Sequence, residues 1–136
     1  MAKRILAMLM ILALVLTVTS CGDVRLKDGT YTRTSSKDEH GFIEVTVVIK
    51  DGKIADCTMK MFNVDGTLKG EDYGKNAGNP KLYELAQKAL GEASKLPALL
   101  VEKGDIAEVD ALSGATKTYD QFKAMVLEIV EEAQKP

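Results

Sequence analysis

From Phe42 to Lys50 the apolar side chains fall on alternate positions, Ile43, Val45, Val47 and Ile49, with Glu44, Thr46 and Lys50 facing the other way. A period of two is that of a strand with one face buried. Asp51-Gly52 follows, a two-residue hairpin signal whose favoured turn takes positive φ at both central positions. The return strand is expected over Lys53 to Phe62, with Ala55, Cys57, Met59 and Met61 on the core face and Asp56, Thr58 and Lys60 on the other. Upstream, Asp28-Gly29 turns into Thr30 to Ser35, whose Thr and Tyr content suits an edge strand.

Further on, the period becomes helical. Asn79-Pro80 is a helix start, with Asn as N-cap and Pro in the first turn, and Leu82, Leu85, Ala86, Ala89, Leu90 and Ala93 make one apolar stripe predicted to pack on the sheet. Pro97 opens a short helical piece through Leu99 and Leu100 that Gly104 ends. A last helix is predicted from about Tyr119 to Gln134, with Phe122, Met125, Val126, Ile129, Val130 and Ala133 inward. Between the second strand and the first helix, Asn63 to Gly78 is glycine-rich and has neither period, the kind of long loop that often carries function. It is not a phosphate-binding P-loop, because Gly74-Lys75 is followed by Asn76. Lys69, Tyr73 and Lys75 are its candidates for contact with a ligand. The fold class expected is α+β: a small antiparallel sheet of three or more strands against two main helices, behind an N-terminal signal segment.

That signal segment changes the reading of composition. The chain has 136 residues, 46% hydrophobic and 28% charged, but Met1 to Arg4 form a basic start and Ile5 to Val18 an apolar run broken by Thr17, the plan of an export signal. The run is shorter than the roughly 20 residues of a spanning helix. The divisions expected are a leader over 1–20, a tether over 21–27 and one domain over 28–136. Without the leader the net charge is about −4, which disfavours nucleic acid as a partner. Val18-Thr19-Ser20-Cys21 resembles a bacterial lipobox, which implies that Cys21 becomes an acylated N-terminus and that two or three chains hold the domain to a membrane. Cys57 is then the one remaining thiol, read as core. His40 lies in a charged loop, Ser36 to Gly41, as solvated surface.

The chemistry concentrates in Asp110-Ala111-Leu112-Ser113-Gly114-Ala115-Thr116. Thr118 to Gln121 reads as a capping box, so that the helix begins near Tyr119 and Thr116 lies two residues before the cap. Unpaired N–H groups and the positive dipole end favour an anion there by roughly 0.3–1 kcal/mol. Ser113 and Thr118 are rival hydroxyls, Thr118 being read as structural because capping occupies its oxygen. The bland alternative is a loop with a glycine turn and a polar helix start. No Ser-His-Asp order, acid–base pair or metal-ligand cluster accompanies the motif, which points to a carrier rather than a self-contained enzyme.

D-A-L-S-G-A-T resembles the signature of the FMN-binding domain of the flavin subunits of sodium-pumping NADH:quinone reductase and of ferredoxin-oxidising ion-pumping complexes. The likeness runs from a D-G-T-Y opening at Asp28 to Gln134 and is greatest for the family's small stand-alone lipoproteins. It implies FMN joined to Thr116 by a phosphodiester. It also implies an exported flavin transferase that takes FMN from FAD with magnesium and reads Asp110, Ser113, Gly114 and Ala115. The function so implied is electron relay between membrane redox components, such as a quinone-linked reductase, and an outer acceptor, at the extracytoplasmic face of the cell membrane. A non-redox surface lipoprotein, either a binding module or a peptide-pheromone precursor, is the alternative. A reductase with its own substrate is a third reading.

Overall fold

The computed structural model describes residues 25–136; the expected leader and Cys21 lie outside them. Three strands, β1 (Gly29–Thr34), β2 (Phe42–Lys50) and β3 (Lys53–Phe62), form an antiparallel sheet in the order β1-β2-β3. Three helices follow: α1 (Pro80–Ala93), α2 (Leu96–Lys103) and α3 (Thr116–Gln134). α2 lies on β3, and α3 crosses β2 and β1. The alternation read in β2 holds, with Ile43, Val45, Val47 and Ile49 buried against Leu96, Leu100, Phe122, Val126 and Ile129. The result is the α+β class that the pattern predicts.

The β2–β3 turn has φ +54° at Asp51 and +77° at Gly52, as a two-residue hairpin requires. Its N–H groups at Asp51 and Gly52 donate to the Asp28 carboxylate at 3.0 and 2.8 Å. Of the stretch read as tether, Leu26 donates its N–H to Gly52 O (3.3 Å) and Lys27 to Ala133 O (2.8 Å). Contact with the domain therefore begins by Leu26.

Two expectations about packing are corrected. Ala55 is exposed and Ile54 takes the core position beside Cys57, because Val48 pairs with Asp56 but Ile49 with Ile54. The extra residue is a β-bulge, and it shifts the face of everything before it by one. Cys57 is buried as expected, and desolvation, with Asp56 nearby, pushes its thiol up to about 12.

The second correction concerns α1. Its cap is as read, Asn79 Oδ1 accepting from the N–H groups of Lys81 and Leu82, but its stripe does not lie on the sheet. Leu82 and Leu85 are 50% and 54% exposed, and only Ala93 is buried. Three strands about 4.8 Å apart make a face that two helices 8–10 Å apart already cover, and α2 and α3 occupy it. α1 instead props up the glycine-rich loop: Gln87 donates to Gly70 O and Tyr73 O at 3.0 and 2.8 Å, and the Tyr83 hydroxyl to Glu71 O at 2.6 Å.

Candidate functional site

The approach to the motif is fixed by buried neighbours. Asp105 caps a 3-10 turn over Ile106–Glu108 by accepting from Ala107 N–H (2.9 Å), and Ile106 and Val109 are buried. The Tyr119 hydroxyl donates to Val109 O at 2.7 Å, fastening this segment to α3. Asp110, Ser113 and Gly114 are then exposed, Leu112 is half-buried, and Ala115 is buried. Ala115 N–H donates to Leu112 O at 3.0 Å across a turn whose third residue, Gly114, has φ +81°. A glycine is what such a position favours.

The capping box is not formed. α3 starts at Thr116, its N-cap is Ala115, and no side chain caps it. The Ser113–Gly114 turn delivers the chain into the helix three residues earlier than the box implied, with the buried Ala115 methyl as its anchor. Thr118 thus lies inside the first turn of α3 and is not the cap. The first intrahelical bond runs from Tyr119 N–H to Ala115 O (2.9 Å), so the N–H groups of Thr116, Lys117 and Thr118 have no acceptor within the helix. Thr116 is exposed and Thr118 is half-buried.

Beside this turn lies a cavity of about 200 Å³ with Phe42, Lys69, Tyr73, Ala89, Lys117 and Thr118 in its wall. Gly114, Ala115 and Gln121 border it from the motif side, while Thr116 stands outside its lining. The floor is braced. Phe42 stacks on Phe62 with centroids 4.8 Å apart and planes at 13°, and the Lys69 ammonium sits 4.4 Å from the Tyr73 ring centroid. The opposite wall is the Ser36–Gly41 loop. There Asp38 accepts from His40 N–H (2.7 Å) and pairs with Lys117 Nζ (3.0 Å), and these two contacts, in that order, hold its carboxyl below the usual carboxylate range.

The structure brings together Gly114, Ala115, Thr118, Lys69 and Tyr73 from the sequence reading. Lys75 does not join them; it pairs with Asp72 in a second, larger groove of about 790 Å³ that shares only His40 and Tyr73 with the first. His40 is surface, as read, but it stands where the two cavities meet. Sequence reasoning missed Asp38, Phe42 and Lys117, and gave Gln121 only a capping role. Lys117 directly follows the motif, whereas Asp38 and Phe42 reach the site only through the folding of β2, and no local pattern announces them. Among the described residues no group of three or more His, Cys, Asp or Glu side chains is placed to hold a metal ion, and no helix is long and apolar enough to cross a membrane.

The site residues suit FMN on their own chemistry. Thr116 is the exposed first residue of α3, the first three N–H groups of that helix lack helical acceptors, Lys117 follows directly, and a cavity with aromatic walls is bordered by the preceding Gly114 and Ala115. Comparison with known proteins agrees. The family model for the FMN-binding domain matches residues 39–131, a span that takes in the motif, the glycine-rich loop and all of the cavity lining except Asp38. A crystal structure of the CPE2226 protein from Clostridium perfringens superposes with a TM-score of 0.65 at 26% identity, covering 80% of this chain and 89% of that one. A solution structure from Clostridium thermocellum covers 81% of this chain and 94% of its own at 25% identity, with a TM-score of 0.48. No curated protein matches the chain. With more than half its length matched, the motif included, the chain belongs to the FMN-binding domain family.

Proposed function

We propose that this protein is a membrane-tethered electron carrier whose FMN is bound covalently through a phosphodiester to the Thr116 hydroxyl. The observation that carries the reading is the position of that hydroxyl. It is exposed, on the first residue of α3, next to three N–H groups without helical partners and a cavity with aromatic walls. Those N–H groups favour the remaining phosphate charge, and Lys117, paired with Asp38, lies directly after Thr116. Transfer from FAD forms the bond from Thr116 Oγ1 to the FMN phosphorus and breaks the pyrophosphate. AMP leaves, and the hydroxyl proton goes to solvent. A flavin ring accepts one or two electrons, and the protein's part is to orient it and limit its contact with water.

Covalent attachment also explains why a shallow site suffices. A cavity of about 200 Å³ is below the usual 300–1,000 Å³ of a ligand pocket, and a tethered group needs no deep pocket to stay bound. On this reading Cys21 carries the lipid, an exported transferase is the modifying partner, and membrane redox proteins supply or take the electrons.

The test is expression in a host that exports a flavin transferase. The wild type is expected to carry a yellow chromophore that survives denaturation, with one FMN added to the intact mass. Thr116→Val abolishes both; Thr118→Val keeps the chromophore. A colourless wild type from such a host, or a coloured Thr116→Val, would overturn the proposal.

A further inference from the structure

We propose that the larger groove, lined by the exposed Val64 and Leu68 and by Glu39, Asp65, Glu71 and Asp72, is a docking surface for a redox protein that presents basic side chains together with apolar ones. The proposal rests on the flavin reading above, since it is the flavin cavity that lies behind His40 and Tyr73.

Charge and polarity identify the occupant. Four carboxylates line the groove against one lysine, Lys75, whose ammonium is already paired with Asp72. Such a surface repels the phosphate of FMN and any anionic form of its ring, so the cofactor is not what fills it. Val64 and Leu68 are 47% and 62% exposed, two open apolar side chains sharing the groove with four carboxylates. Protein interfaces combine apolar and charged side chains in this way, and acidic groups steer a basic partner to the groove and raise the rate of encounter.

The surface is also rigid before any partner arrives. Asn63 N–H donates to Thr67 O (2.7 Å) and Lys69 N–H to Met61 O (2.8 Å), while Asp65 accepts from both the N–H and the hydroxyl of Thr67. The bonds from Tyr83 and Gln87 of α1 hold the other side. A surface so braced loses little freedom on binding. Its position fits too, for the groove lies past Phe62, at the opposite end of the β2–β3 hairpin from Gly52, which Leu26 meets.

The experiment uses the full chain carrying Thr116→Val, isotope-labelled, so that the binding result does not depend on flavin. It is titrated with cytochrome c as a basic redox protein and with a plant-type ferredoxin as an acidic one, at low ionic strength. Cytochrome c is expected to shift the amide resonances of Val64, Leu68, Glu71 and Asp72, and ferredoxin to shift none. Glu71→Lys with Asp72→Asn weakens cytochrome c binding about tenfold, and added salt erases the difference. Shifts centred on Glu128, Glu131 and Glu132 of α3, equal binding of ferredoxin, or indifference to the groove variants would overturn the proposal. With flavin-loaded wild type, the same variants and Leu68→Ser slow reduction of cytochrome c by a similar factor, and an unchanged rate counts against it. A chain that takes up no flavin defeats the preceding reading alone, because the binding map is obtained without flavin.

Discussion

Gly41 and Gly114 both hold a positive φ, but for unlike reasons, and the difference sets what each substitution does. A methyl group added at Gly41 would lie 1.8 Å from Phe62 O, in a backbone with φ +113°. Neither partner can yield, since Phe62 O belongs to β3 and Gly41 leads into β2. Gly114, at φ +81°, has nothing within 4 Å of an added methyl, so the cost there is conformational, about 1–2 kcal/mol for an L-residue in the left-handed region. Gly41→Ala is therefore expected to lose about 3 kcal/mol or more and to disturb the Phe42–Phe62 stack. Gly114→Ala keeps the fold and shifts the urea midpoint modestly. Equal midpoints for the two variants would show that the close approach of Phe62 O does not govern Gly41. At the same scale, the proposal that Thr116 rather than Thr118 carries the flavin is supported by the motif and by the exposure of Thr116 at the start of α3. Capping does not occupy the Thr118 hydroxyl, because Ala115 is the N-cap.

Among the elements, α1 departs furthest from its pattern. Its stripe has the period of a helix on a sheet, yet Leu82 and Leu85 face solvent and its polar side chains do the holding: Gln87 to two loop carbonyls and Tyr83 to a third. Gln87→Ala removes both of its bonds while leaving the stripe and the cap untouched. Amide exchange is expected to speed up in Gly70 to Ala77 and to stay as it was in β2 and α3. Uniform protection would mean that the loop stands without α1. What could be read beforehand follows from the range of the forces involved. The alternation in β2, the Asp51-Gly52 turn, the Asn79 cap and the glycine turn of the motif depend on neighbours within four residues, and all were legible. The bulge at Ala55 was not, because it is a matter of register between two strands. Nor was the crowding of the sheet by α2 and α3, which leaves no room for α1. The site divides in the same way: the motif could be read, while Asp38 and Phe42 are brought to it by tertiary pairing.

Across the whole molecule the two ends have different tasks. At one, the segment from Leu26 meets the β2–β3 turn and the end of α3, through Lys27 N–H to Ala133 O, with Arg33 of β1 paired to Glu128 and Glu132. At the other, the start of α3 and the junction of β2 with its loop enclose the smaller cavity. Nine residues of β2 and nineteen of α3 separate the ends by roughly 30 Å, so under the proposed function a tether on the N-terminal segment would leave the smaller cavity at the far end. The carboxylates that hold both ends depend on being ionised. Asp28 accepts from Gly52 and Asp51 N–H, Asp38 from His40 N–H and Lys117, and Asp65 from the Thr67 hydroxyl and N–H; each is held below its ordinary value of 3.8. A lowered folded value means stability that is fully present above the unfolded value and lost as pH falls through the folded one. Urea midpoints are thus expected to be level near neutrality and to fall below about pH 4. Asp28→Ala tests this directly, for it removes one of these carboxylates without touching the core. The wild type should exceed the variant at pH 7, and the gap should close on acidification as the unfolded carboxylate takes up its proton before the folded one. A gap that persists unchanged to pH 2 would mean that Asp28 acts by filling space, and that the hairpin end is not held by its charge.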